Sequence, residues 1–190
     1  EKQVHGLTIP LVTKSDGTKF GKTEGGAVWL DPEKTSPYQF YQFWINTDDR
    51  DVIKYLKYFT FLPIEEINEL AKEVETQPEK RTAQRMLAKE VTELVHGVEA
   101  RERAERITHA LFTGGIATLT GAEIDEGFRD VPSAEIADRE MTLVDALIEV
   151  GAASSRRQAR ESMGSGAIYI NGERQTDTAL TISQLDKIED

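Results

Sequence analysis

Up to about residue 35 the apolar positions come in short runs separated by polar, glycine-containing stretches. Leu7-Thr8-Ile9-Pro10-Leu11-Val12 is apolar and β-branched, and its proline suits a strand end or an edge strand. Lys14-Ser15-Asp16-Gly17-Thr18 is a turn signal, followed by Lys19-Phe20-Gly21-Lys22-Thr23. A short apolar return, Ala27-Val28-Trp29-Leu30, closes at Asp31-Pro32. One strand, one glycine-rich loop and one return cannot enclose a core, so residues 1–35 read as the edge of a domain.

The rhythm turns helical at Ser36-Pro37, an N-cap serine with proline at the first helical position. Phe40, Tyr41, Trp44 and Ile45 then share one face. Thr47-Asp48-Asp49 caps a second helix with Val52, Tyr55, Leu56 and Phe59 in register, and Pro63 resets the chain before Ile64, Ile67, Leu70, Ala71 and Val74. Pro78 is expected to end that helix and start a longer one through Met86, Leu87, Val91, Leu94 and Val95, stopped at His96-Gly97. A fifth helix runs from about Ala100 to Phe112 and stops at Gly114-Gly115. Five short helices with brief turns predict a bundle whose aromatic stripe is packed core. From Gly114 to about Arg139 the pattern supports one short helix, Ala122–Phe128, with Asp130-Val131-Pro132-Ser133 as a linker.

The last fifty residues have the clearest punctuation. Thr142 caps a helix burying Leu143, Ala146, Leu147 and Val150, which Gly151 ends. Ser154 or Ser155 caps Arg156-Arg157-Gln158-Ala159-Arg160-Glu161-Ser162-Met163, and Gly164 and Gly166 end it. Ile168-Tyr169-Ile170 alternates as a strand, and Asn171-Gly172 is a two-residue hairpin signal. Helix, basic helix, strand and hairpin make a compact RNA-binding pattern.

Composition narrows the function classes. A chain of 190 residues is one ordinary domain or two small ones, and 38% hydrophobic against 30% charged suits several helical layers. With no cysteine, disulfides, thiolate catalysis and cysteine-held zinc are excluded. His5, His96 and His109 are far apart in sequence and assign no metal. No apolar run approaches the ~20 residues of a membrane span, so a soluble, cytoplasmic protein is expected. A formal net charge of −11 argues against coating nucleic acid along the whole chain, while allowing a local basic face.

Lys19-Phe20-Gly21-Lys22-Thr23 carries the candidate chemistry. Two ammonium groups three residues apart on a flexible loop can converge on a polyphosphate, with the Thr23 hydroxyl adding a hydrogen bond. Such donors raise the rate of nucleotidyl transfer when they close on developing pyrophosphate charge. Spacing alone fits two solvated lysines in a turn equally well. The G-x-x-x-x-G-K-[ST] phosphate loop is rejected, because it needs glycine where Asp16 stands and a helix where Gly25-Gly26 follows.

Gly6 to Val12, Asp16 to Thr23, Trp29-Leu30-Asp31 and Ser36 to Asp49 together closely resemble bacterial tyrosyl-tRNA synthetases, densely over residues 5–62. The resemblance continues more loosely through Leu94-Val95-His96-Gly97 and Ala110-Leu111-Phe112, and sharpens at Arg157 to Arg160 and Ala167 to Gly172. It implies that Lys19 to Thr23 is the family's form of the KMSKS loop. Lys19, Lys22 and Thr23 would stabilise the pyrophosphate of ATP as tyrosyl-adenylate forms, with the backbone at Leu11 and Val12 against adenine. Phe20 and Gly21 replace the Met-Ser of the general class I motif, as is usual within this family. The implied fold is mainly α: residues 1–35 the edge of a Rossmann catalytic domain, 36–129 a helical anticodon-binding bundle, 130–139 a linker, and 140–190 a small α+β RNA-binding domain.

In that last domain Arg156, Arg157 and Arg160 lie within about one turn and can meet one phosphate backbone, and Arg174 extends that face. The implied partners are tyrosine, ATP with Mg2+ (no protein ligands assignable) and the tRNA for tyrosine. The family's catalytic Rossmann domain, with its tyrosine pocket and homodimer interface, is expected before Glu1, and a basic strand after Asp190. The chain would then be a C-terminal fragment, inactive alone. The alternative is a non-catalytic RNA-binding module related to the same half of the synthetase.

Overall fold

The computed structural model describes residues 4–8, 11–23, 26–129 and 131–186, with the side chains of Lys22 and Thr23 outside that set. The expected strand Leu7–Val12 includes Ile9 and Pro10, and the linker begins at Asp130; these three residues lie outside the described ones. Residues 4–8, 11 and 12 carry no regular structure.

Contacts divide the chain into two compact units, Glu1–Ala104 and Glu105–Asp190. In the first, α1 (Pro37–Ile45) begins in a reciprocal capping box: Ser36 accepts the Gln39 N–H, and Gln39 accepts the Ser36 N–H. Then α2 (Asp49–Phe59) starts at Asp48, whose carboxylate accepts the Arg50 N–H. Pro63 precedes α3 (Ile64–Thr76), which has Glu65 and Glu66 in its first turn to meet the positive end of the helix dipole.

The next helix departs from expectation. Pro78–Lys80 forms one 3-10 turn, and α4 (Thr82–His96) begins four residues after the proline. The cause is Arg81, held at φ 50° in the left-handed region. That conformation costs a non-glycine residue roughly 1–2 kcal/mol. Offsetting it, the Arg81 guanidinium donates to the carbonyls of Ile45 (2.7 Å) and Thr47 (3.2 Å), just past the end of α1. Gly97, at φ 85°, breaks α4 from α5 (Val98–Thr113), which starts two residues before the expected Ala100.

Within this unit α4 packs against α1, α2 and α3, and α2 packs against α3. Alanines 83 and 88 on α4 are fully buried and allow close approach. Phe40, Trp44, Val52, Leu56, Leu87 and Val91 fill the core, to which Ala104 of α5 also belongs. The aromatic stripe is packed core. The expected bundle of five is four helices plus the first part of a fifth.

In the second unit the end of α5 carries Ile107, buried beside Gly127 of α6 (Gly121–Gly127), where an added Cβ would collide with it. Arg106 grips Glu123 at 2.7 Å, and Glu123 also closes the capping box with Thr120. Residues 132–138 have no regular structure. Then α7 (Leu143–Glu149) starts at Thr142 and α8 (Arg156–Gly164) at Ser155, each cap accepting a backbone N–H. Strands β3 (Tyr169–Ile170) and β4 (Glu173–Arg174) pair antiparallel across Asn171-Gly172, both at positive φ (50° and 85°). That is the backbone a type I′ turn requires. Leu143, Val144, Leu147, Ala159 and Met163 form the small core, with Ile168 and Ile170 of the hairpin segment packed on it.

Candidate functional site

The lysine segment is folded rather than a free loop. Thr13 and Lys19 form an antiparallel bridge, the Phe20 N–H donates to the Val12 carbonyl, and Lys14 to Thr18 closes the turn between them. Gly17 sits at φ 83°, a position that favours glycine. Asp16 tightens the turn by accepting both the Thr18 N–H (2.8 Å) and hydroxyl (2.6 Å), which lowers its carboxyl pKa. Gly21, at φ 79°, redirects the chain into a second hairpin. There β1 (Lys22–Thr23) pairs with β2 (Gly26–Ala27), Lys22 opposite Ala27. Glu24 and Gly25 lie outside the described residues.

The physical reason for this order is Phe20. Its ring is surrounded by Phe43, Trp44, Tyr55 and Phe59, at centroid distances of 5.7, 5.4, 4.9 and 5.4 Å. Lys19, one residue earlier, is exposed. Adjacent positions therefore place a cation in solvent and an aromatic anchor against the core.

From α2, three further side chains hold the same segment, and sequence reasoning missed them. The Asp51 carboxylate, 3% exposed, accepts the Ser15 N–H at 2.9 Å and the Lys54 ammonium at 2.7 Å. Lys54 also donates to the Thr13 carbonyl at 2.6 Å, and the Tyr55 hydroxyl reaches that carbonyl at 3.3 Å. Burial pushes the Asp51 carboxyl up, but hydrogen bonds from Lys54 and Ser15 outweigh it and leave its pKa lowered. Burial, aided by the charges of Asp51 and Asp16, pushes the Tyr55 phenol up to about 12. An Asp–Lys pair three apart near the start of a helix is ordinary surface grammar, so nothing in the sequence marked it as a tether.

A cleft of about 430 Å³ opens between the Lys14–Asp16 turn and the start of α2, floored by Phe20, Phe43 and Tyr55. Its carboxylates are committed: Asp16 to Thr18, Asp48 to Arg50, Asp51 to Ser15 and Lys54. Among the described residues no group of three or more His, Cys, Asp or Glu could hold a metal ion. Of the residues expected against a nucleotide, Leu11 is exposed, while Val12 packs on the core and gives its carbonyl to Phe20. His5 is exposed, His109 is exposed, and the His96 ring meets Phe40 edge-on at 4.8 Å.

The four arginines of the second unit are not equivalent. Arg156 on α8 donates to Asp145 of α7 at 2.6 Å, and Arg157 pairs with Glu161 at 2.8 Å. The hydrogen bond from Arg156 is the main reason the Asp145 carboxyl is lowered, and the nearby charge of Arg160 adds to it. Arg160 is exposed and has no ion-pair partner among the described residues. Arg174 sits beyond the C-terminal end of α8, where its Nε donates to the Gly166 carbonyl at 2.9 Å. Gly166, at φ 73°, leaves no room for a Cβ beneath that guanidinium.

Comparison with known proteins gives two family matches along the chain. Residues 1–113 match the family described as tRNA synthetases class I (W and Y), and residues 123–190 match the Tyrosine–tRNA ligase SYY-like C-terminal domain. The Tyrosine–tRNA ligase of Desulfitobacterium hafniense (strain DSM 10664 / DCB-2) is 80% identical over 189 residues, covering 100% of this chain and 45% of that protein. Tyrosine–tRNA ligase 1 of Bacillus subtilis (strain 168) is 63% identical over 185 residues, 97% of this chain and 44% of that protein. The chain thus spans under half the length of these curated relatives. Among solved structures, a C-terminally truncated Aspergillus nidulans mitochondrial tyrosyl-tRNA synthetase aligns over 45% of this chain and 25% of that one, at 43% identity and a TM-score of 0.44. Because the first family match takes in more than half of the residues, the chain belongs to the class I tRNA synthetases of the W and Y family.

Proposed function

We propose that this chain is the C-terminal portion of an ATP-dependent tyrosine–tRNA ligase, supplying the lysine hairpin of tyrosyl-adenylate formation and the parts that hold tRNA. The observation that carries this reading is the hairpin itself, which packs Phe20 against the core and raises Lys19 into solvent inside the family-matched stretch. In this role Lys19, Lys22 and Thr23 meet the pyrophosphate of ATP as it leaves, and the backbone at Leu11 and Val12 lies along adenine. Mg2+ arrives with the ATP, and no residue of this chain is assigned to it. The likeness of residues 123–190 to a C-terminal domain supports the placement in the longer enzyme.

Residues 1–35 then border the catalytic domain, 36–129 serve the anticodon side, 130–139 link, and 140–190 bind RNA through Arg156, Arg157 and Arg160. The complete enzyme is a cytoplasmic homodimer joined through sequence outside this chain.

The test is a chimera in which these 190 residues replace the corresponding part of the Desulfitobacterium hafniense ligase. Tyrosine-dependent pyrophosphate exchange should appear in the chimera and not in the isolated chain. Lys22→Ala should lower the adenylation rate about a hundredfold while changing tyrosine affinity little. Unchanged adenylation in that variant would overturn the role given to the hairpin.

A further inference from the structure

We propose that Asp51 is a positioning residue for the lysine hairpin, acting through Lys54, Ser15 and the Thr13 carbonyl; this rests on the reading of Lys19 and Lys22 given above. The connection is short and continuous. Asp51 is buried at the start of α2, so its two oxygens are fixed by a core helix rather than by a mobile stem. One oxygen holds the Ser15 N–H at 2.9 Å, at the beginning of the turn. The other holds Lys54 at 2.7 Å, and Lys54 in turn holds the Thr13 carbonyl at 2.6 Å. Thr13 is the bridge partner of Lys19.

Asp51 therefore fixes the strand across from the lysine, while Phe20 fixes the strand that carries it. A pyrophosphate-binding lysine has to stand at a set height, because misplacement by about 1 Å can cost about a hundredfold in rate. Two independent anchors on one helical unit, a ring and a carboxylate, can supply that setting. Neither touches the reacting atoms.

Asp51→Asn and Lys54→Met test this separately, so that a folding defect in one does not end the experiment. In the chimera each is expected to lower adenylation kcat about tenfold, with the tyrosine KM held within about twofold. Lys54→Arg, which keeps the cation, should recover most of the rate. In this chain each variant should also speed amide exchange about tenfold at Gly17 and Phe20. Those two amides donate to Lys14 and Val12 and do not contact Asp51, so they report the hairpin rather than the lost bond.

Intact kcat, or exchange at Gly17 and Phe20 that stays slow, overturns the inference. So does faster exchange spread equally over α1 and α4, which would make Asp51 a general determinant of the fold. If Lys22→Ala leaves adenylation intact, the functional reading fails instead, and the exchange data still decide whether Asp51 clamps the hairpin.

Discussion

Lys19 and Phe20 are neighbours in sequence and opposites in environment, and Asp51 is the residue whose ionisation ties them to α2. Its carboxyl pKa is lowered in the folded chain, below the unfolded value of about 3.9. The stability it contributes is therefore present above that unfolded value and lost as pH falls through the folded one. Tyr55, pushed up to about 12, stays a neutral donor to Thr13 throughout this range. Thermal melts should show a constant gap between the unaltered chain and Asp51→Asn above about pH 5, narrowing below about pH 4. A gap that stays constant to about pH 2 would show that the carboxylate's charge contributes nothing.

Among the elements, caps were the most legible part of the sequence, because a cap is a local contract between residues three apart. Ser36, Asp48, Thr142 and Ser155 all cap the helices expected of them. Ser36 is 2% exposed, and both halves of its box are made, so Ser36→Ala should cost about 1 kcal/mol, read as a lower urea midpoint at unchanged slope. A loss near zero would mean that Pro37 alone sets the start of α1.

Long-range pairings were not legible. Pro78 looked like a helix start, but Arg81 is drawn back to the end of α1 by carbonyls 34 and 36 residues earlier in the chain. The lysine segment looked like an open loop, yet Phe20 orders it by joining rings from two helices. The signal for that was one aromatic in a polar, glycine-rich run. Asp51 and Lys54 gave no signal, since their partners Ser15 and Thr13 lie 36 and 41 residues away. The charges of the arginine helix were visible, but the Asp145 that takes up Arg156 was not.

For the whole molecule, net charge and local charge point in different directions. At −11 the chain as a whole repels polyanions, so the RNA binding proposed above would rest on a few cations not neutralised by their neighbours. Arg156 and Arg157 are hydrogen-bonded to Asp145 and Glu161, whereas Arg160 has no ion-pair partner among the described residues. Arg160→Ala should weaken tRNA binding and reduce its salt dependence by about one in the log–log slope, and Arg157→Ala should do less. Anisotropy titrations at several salt concentrations measure this. Equal effects of the two substitutions would show that the ion pairs dissolve when RNA arrives.

The seat of Phe20 has a further consequence. Its ring lies 5.4 Å from the indole of Trp44, one of two tryptophans in the chain. Trp44 is buried, whereas Trp29 is half exposed, with the Lys34 ammonium 4.4 Å from the centre of its ring. The hairpin is thus wired to an intrinsic fluorophore, and its docking is an optical property of the unlabelled protein.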